Sequence, residues 1–245
     1  MKILVDLHTH TIASGHAYST ITENAQAAAR RGIELLGITD HGPSLPGAPH
    51  HYYYNNLGVI PEEIHGVKVL TGVEANIISH EGELDLPVYI LAQLKLVLAG
   101  LHKVSYPGGT LEQNTQACLK AMSNPFTDMI VHPGRIDFKV DLEQIARASA
   151  QLNVPVEINN STLSTIRSKT EARINCSLFA RYMAKYKGSV VLGSDAHFSD
   201  RVGEFGDALD LVLEAGISEQ QILNTSPERV LNYLEIRHKQ RPKVA

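Results

Sequence analysis

Lys2-Ile3-Leu4-Val5-Asp6-Leu7-His8-Thr9-His10 is a short apolar run that ends in a His-x-His pair. Residues two apart on a strand point to the same side. His8 and His10 can therefore present two imidazoles to one point, provided the backbone stays extended past the apolar run. Taken alone, the pair reads equally well as two surface histidines, because a motif this short has a real false-positive rate. Whether the rest of the chain repeats the arrangement decides between the two.

The arrangement recurs along the whole chain. Residues 33–39 form a second apolar run, ending in Asp40-His41; residues 67–73 form a third, ending at Glu74. Residues 94–101 end at His102, and residues 128–131 end at His132 before a Pro133-Gly134 turn. Residues 154–158 end in Asn159-Asn160, and residues 189–192 run into Gly193-Ser194-Asp195-Ala196-His197. Helical patterns fit between the runs. Thr22 reads as the N-cap of a helix that holds Ala25, Ala27, Ala28 and Ala29 and stops at Gly32. Asp141 caps a segment through Gln151, residues 175–187 are apolar at helical spacing, and Ser226-Pro227 opens a last helix. Residues 42–56, rich in Pro, His and Tyr and without periodicity, read as a long loop able to act as a lid.

Strands alternating with helices imply βαβ units and a parallel sheet. An open sheet draws its ligand crevice from a few strands, whereas a closed barrel gathers the C-terminal ends of all of them on one face. Nearly every run here ends in a metal-binding side chain, so the barrel is expected. The 245 residues suit a single barrel domain spanning 1–245, with no linker or low-complexity stretch to divide it. A net charge of -4 without a basic block excludes a nucleic-acid or anionic-membrane surface and leaves small molecules as partners. Cys118 and Cys176, far apart within helical patterns, read as buried thiols in a reducing compartment. With no leader-like or membrane-length apolar run, a cytoplasmic protein is expected.

The candidate ligands are His8, His10, His16, His41, Glu74, His102, His132, Asp195 and His197. A zinc ion takes about four or five ligands. Nine donors therefore imply two or three ions, with Glu74 as a bridge. Asp40, Asp6 and Asn159 are read as acceptors that fix imidazole tautomers, although Asp6 reads equally well as a turn cap. His50 and His51 are assigned to the loop, and His65, His80 and His238 to surface or loop. No organic-cofactor site is read.

Asp6-Leu7-His8-Thr9-His10, Ile38-Thr39-Asp40-His41, Gly72-Val73-Glu74, His132-Pro133-Gly134 and Ser194-Asp195-Ala196-His197 resemble the ordered motifs of the polymerase-and-histidinol-phosphatase (PHP) superfamily. His16-Ala17-Tyr18-Ser19-Thr20, Glu74-Ala75-Asn76-Ile77 and Glu157-Ile158-Asn159-Asn160 are similar to its stand-alone YcdX-type zinc phosphatases. The resemblance implies a distorted (β/α)7 TIM-like barrel and a trinuclear site of divalent ions, zinc by default, with manganese or iron allowed. It implies hydrolysis of small phosphomonoesters by metal-bound hydroxide, and it is compatible with a homotrimer. By the family pattern His8, His10, Glu74 and Asp195 hold one ion, His16, His41 and His197 a second, and Glu74, His102 and His132 a third. Glu74 and Asp195 are the expected catalytic residues, with Arg167, Lys103 or Arg135 holding charge on the phosphoryl oxygens. Lys103 and Arg135 depart from the family pattern. Two other readings stand beside this one: a metal-dependent amidohydrolase, which uses fewer histidines and often a bridging lysine, and a non-catalytic, metal-stabilised PHP module.

Overall fold

The computed structural model describes residues 1–164 and 169–244. Among them the strands are β1 (Val5–Asp6), β2 (Leu35–Ile38), β3 (Glu63–Ile64), β4 (Val67–Asn76), β5 (Leu96–Gly100), β6 (Met129–Ile130), β7 (Val156–Asn159) and β8 (Val190–Gly193). All but β3 run parallel, in the order β1-β2-β4-β5-β6-β7-β8. Registers such as Leu36↔Val69, Val73↔Val97 and Ile158↔Leu192 align them, and β3 folds back antiparallel on β4. The sheet is nearly closed. Above the strands the Asp195 amide donates to the His8 carbonyl and the His10 amide to that of Ala196, each at 2.9 Å. Lower down, the Asn224 side chain bridges β1 and β8, donating to the Val5 carbonyl at 2.9 Å and that of Leu192 at 2.8 Å.

Strands covered on both faces must be apolar at nearly every position, which is why they read as continuous runs. Leu36, Ile38, Ile130, Ile158 and Leu192 face the surrounding helices. Their neighbours Leu35, Met129, Val131 and Val191 fill the barrel interior together with Val230 and Leu234 of the last helix. Among the described residues, no helix is long and apolar enough to cross a membrane.

The helices around the sheet are α1 (Ile21–Arg30), α2 (His51–Asn55), α3 (Val88–Leu91), α4 (Leu111–Ser123), α5 (Leu142–Leu152), α6 (Asn160–Ser164), α7 (Lys169–Tyr186) and α8 (Gly206–Glu214), with α9 (Pro227–Lys239) packed against the barrel interior. Asp141 and Ser226 cap α5 and α9 as expected. The cap of α1 is Thr20 rather than Thr22. Glu23 lies at the third helical position from Thr20 and returns a bond to its amide, completing a capping box that Thr22 cannot form. The stretch 42–56 is not wholly loop, since α2 lies within it, with its first turn capped by the His50 side chain. Tyr53 and Tyr54 of that helix donate to Asp40 and to the His41 carbonyl, so the segment is fastened to the strand ends.

Candidate metal centre

Short apolar strands turn sharply at their C-terminal ends, and those turns carry the histidines. His8 and His10 follow β1, His41 follows β2, and His102 and His132 follow β5 and β6. Glu74 belongs to β4 itself, where the strand continues to Asn76. Asp195 and His197 follow β8, and His16 follows a single 3-10 turn, Ile12–Ser14, beyond β1. His132 (φ 35°) and Asp195 (φ 52°) adopt left-handed backbone, which non-glycine residues seldom hold without a reason in the surrounding structure. The result is that all nine expected residues converge.

Glu74 lies at the centre, fully buried. Its Oε2 is 3.4 Å from both His8 Nε2 and His10 Nε2, and Asp195 Oδ1 is 3.6 and 3.2 Å from the same two nitrogens. Its Oε1 is 3.1 Å from His102 Nε2 and 2.6 Å from His132 Nε2. His41 Nδ1 approaches Oε2 at 2.7 Å. The rings of His16, His41 and His197 lie side by side, with centroids 5.0, 4.8 and 5.9 Å apart, but the donor atoms that gather within 4.8 Å of one another there are those of His10, His41 and His197.

The tautomers follow from the partners on the far side of each ring. A backbone carbonyl can only accept, so His16 Nδ1 donates to Ser14 O and His197 Nδ1 to Asp195 O, each at 3.0 Å. Ser14 Oγ spends its proton on Asp40 at 2.7 Å and therefore accepts from His10 Nδ1 at 3.0 Å. His8 Nδ1 donates to the Glu157 carboxylate at 2.7 Å. All four Nε2 lone pairs are left pointing inward. Those of His16 and His197 face each other at 3.1 Å, and among the described residues His8 Nε2, His10 Nε2 and Glu74 Oε2 have no hydrogen-bond partner.

Buried polar atoms normally find partners, and leaving one unpaired costs about 1–3 kcal/mol. Divalent cations resolve the conflict: a tetrahedron with zinc–ligand bonds of about 2.0–2.2 Å has edges of roughly 3.3–3.6 Å. The 3.2–3.6 Å spacings among His8, His10, Glu74 and Asp195 are close to that, while His41 and His132 sit at hydrogen-bond length from Glu74. Electrostatics point the same way. Burial opposes ionisation of Glu74, yet the imidazoles of His41, His102 and His8 hold its carboxyl well below the usual range. Burial lowers His8, but Glu157, Glu74 and Asp195 outweigh it and raise it well above its ordinary value; those carboxylates draw a proton to the inward Nε2, and a cation between them would take that proton's place. Burial, then the neighbouring rings of His41 and His197, holds His10 well below its ordinary value, and burial with Arg135 brings His132 down to about 4. Carboxylates held ionised beside the neutral rings of His10 and His132 make a cation site.

Of the supporting residues, Asp40 and Asn159 differ from expectation and Asp6 takes the second of its two expected roles. Asp40 reaches His10 only through Ser14; its remaining bonds take the Thr11 amide and hydroxyl and the Tyr53 hydroxyl. Asp6 caps backbone, accepting from the amides of His8, Ser194 and Gly203. Asn159 donates to Glu157 and Asp195 instead of orienting an imidazole. Sequence reasoning missed the hub of the set, Glu157, whose Oε1 meets His8 while Oε2 accepts from the His132 amide at 2.9 Å. The signal was a charge inside an apolar strand. Gly193 is its complement, since a Cβ there would lie 1.8 Å from Glu157 Oε1.

Of the cations, Arg135 joins the site, donating from Nη2 to Asp195 Oδ2 at 2.7 Å. Lys103 does not: it is largely exposed and paired with Asp137. Arg167 lies outside the described residues. Cys118 and Cys176 are buried free thiols.

The chain is 46% identical over 236 residues to a probable phosphatase of Thermoanaerobacter pseudethanolicus, covering 96% of each. It is 45% identical over 240 residues to one from Caldanaerobacter subterraneus subsp. tengcongensis, covering 98% of this chain and 94% of the relative. Among solved structures, the fold is shared with a histidinol phosphate phosphatase from Lactococcus lactis, complexed with zinc, L-histidinol and phosphate. That match has a TM-score of 0.61 at 17% identity and covers 89% of this chain and 95% of the other. The PHP domain model matches residues 6–239, from the aspartate before the His-x-His pair to the end of α9. With its strand-end residues gathered around Glu74, this chain belongs to the PHP domain family.

Proposed function

We propose that this protein is a metal-dependent phosphatase that hydrolyses small phosphomonoesters in a trinuclear site. The observation that carries the reading is the set of inward lone pairs, fixed by outer hydrogen bonds and lacking partners of their own. His8, His10, Glu74 and Asp195 would hold one ion, His16, His41 and His197 a second, and Glu74, His102 and His132 a third. Divalent ions bound there would supply Lewis acidity toward phosphoryl oxygens and lower the pKa of water.

The chain's own residues do the rest. Glu74 turns Oε2 to His8, His10 and His41 and Oε1 to His102 and His132, so its carboxylate couples the groups. Asp195 turns Oδ1 toward His8 and His10 while Asn159 and Arg135 hold Oδ2. The Arg135 side chain is 28% exposed, so its guanidinium can also meet a phosphate oxygen arriving from solvent. An amidohydrolase is the weaker reading because the central bridging position belongs to a glutamate.

Elemental analysis of the purified protein, with p-nitrophenyl phosphate hydrolysis before and after chelation, tests the proposal. The expected result is about three ions per chain and phosphatase activity that chelation removes and metal restores. One ion or none, with no turnover after reconstitution with zinc or manganese, would refute it.

A further inference from the structure

Beside the metal centre the surface opens into a cavity of about 370 Å³ that runs from Asp195 and His197 to Tyr18 and Phe198. That volume is at the small end of small-molecule sites. Tyr18 is 73% exposed and Phe198 51% exposed. Both rings are tied to candidate ligands through the backbone: Phe198 follows His197 directly, and the Tyr18 amide donates to the His197 carbonyl at 2.9 Å. Their backbone positions relative to the centre are thereby set.

The rest of the described cavity wall is polar. Ser161 and Ser164 contribute hydroxyls. Arg201, the cation among the described lining residues, is taken up by both oxygens of Glu204 at 3.1 and 2.8 Å. The described part of the wall offers ring faces and hydroxyls.

Resting on the phosphatase reading above, we infer that this cavity is the leaving-group subsite. It selects phosphomonoesters of an alcohol that carries a flat ring, held against Tyr18 and Phe198. The phosphate then lies at Asp195 and His197, and the ring covers apolar surface that is otherwise left to solvent.

Calorimetric titration of the metal-loaded protein with benzylphosphonate and with methylphosphonate tests the subsite without turnover. The ring is expected to improve affinity about tenfold in the wild type, given two aromatic contacts. In the Tyr18→Ala/Phe198→Ala double variant the preference should fall below about twofold with metal content unchanged; both side chains are exposed, so the fold does not depend on them. A wild-type preference below about twofold, or one that survives in the double variant, overturns the inference while leaving the phosphatase reading intact. Binding of neither phosphonate would remove both.

Discussion

The two ends of β6 hold buried carboxylates in opposite circumstances. Before the strand, Asp128 is fully buried and fully answered: it accepts from the Val97 amide at 2.9 Å, from Arg241 at 3.0 and 2.8 Å, and from His238 at 3.2 Å. Beyond it, His132 reaches Glu74, which is as deeply buried but has an oxygen without a hydrogen-bond partner among the described residues. Asp128 fastens α9 and the chain after it across the bottom of the barrel. Glu74 gathers imidazole lone pairs at the top. A satisfied buried charge stabilises one conformation, whereas an unsatisfied one facing other donors is arranged for something that binds later.

That contrast can be broken directly. Glu74→Gln keeps the shape but replaces an anionic oxygen with a donor, so metal content should fall and phosphatase activity drop roughly a thousandfold or more, with the folded state retained. Elemental analysis, kinetics and circular dichroism together check this; full metal content and turnover would show that Glu74 does not bridge. Asp128→Ala should do the reverse. It leaves Arg241 charged, buried and without its carboxylate, costing about 3–5 kcal/mol in denaturant unfolding, while kcat of the remaining folded protein stays near wild type. Glu157→Gln is intermediate: it sits at the metal end but is fully partnered, so metal affinity should weaken about 10–100-fold with little change in fold, as read by competition with a chelator.

The smallest signal sharpens the comparison most. Burial pushes the thiols of Cys118 and Cys176 up to about 12. At pH 8, far below that value, both remain protonated and unreactive in the folded protein, so labelling by a thiol reagent should proceed only through opening of the structure. Labelling should accelerate in Asp128→Ala and not in Glu74→Gln. Acceleration in both would mean that the metal end also contributes to holding the barrel shut.

The fold was legible because parallel strands covered on both faces require unbroken apolar runs, and because strand ends in a barrel meet. Those two facts place β1, β2 and β4–β8 and the candidate ligands at their ends, while His16 lies beyond a 3-10 turn in the loop after β1. Capping was less legible: Thr20 and Thr22 are alike as residues, and only the return bond from Glu23 separates them. The segment 42–56 hid α2, since five residues are too few to show a helical period and the Tyr53 and Tyr54 hydroxyls point to partners outside it.

What the sequence determined by itself was the alternation of strand and helix and the residue type at each strand end, since both follow from local periodicity and spacing. Only the tertiary structure decided which ring nitrogen faces inward, and through whom. Glu157 meets His8 across 149 positions of chain, and Asp40 acts on His10 through Ser14. Barrel closure makes those contacts, and no local pattern encodes a hydrogen bond between residues that become neighbours only when β7 and β8 bring the last strand beside the first.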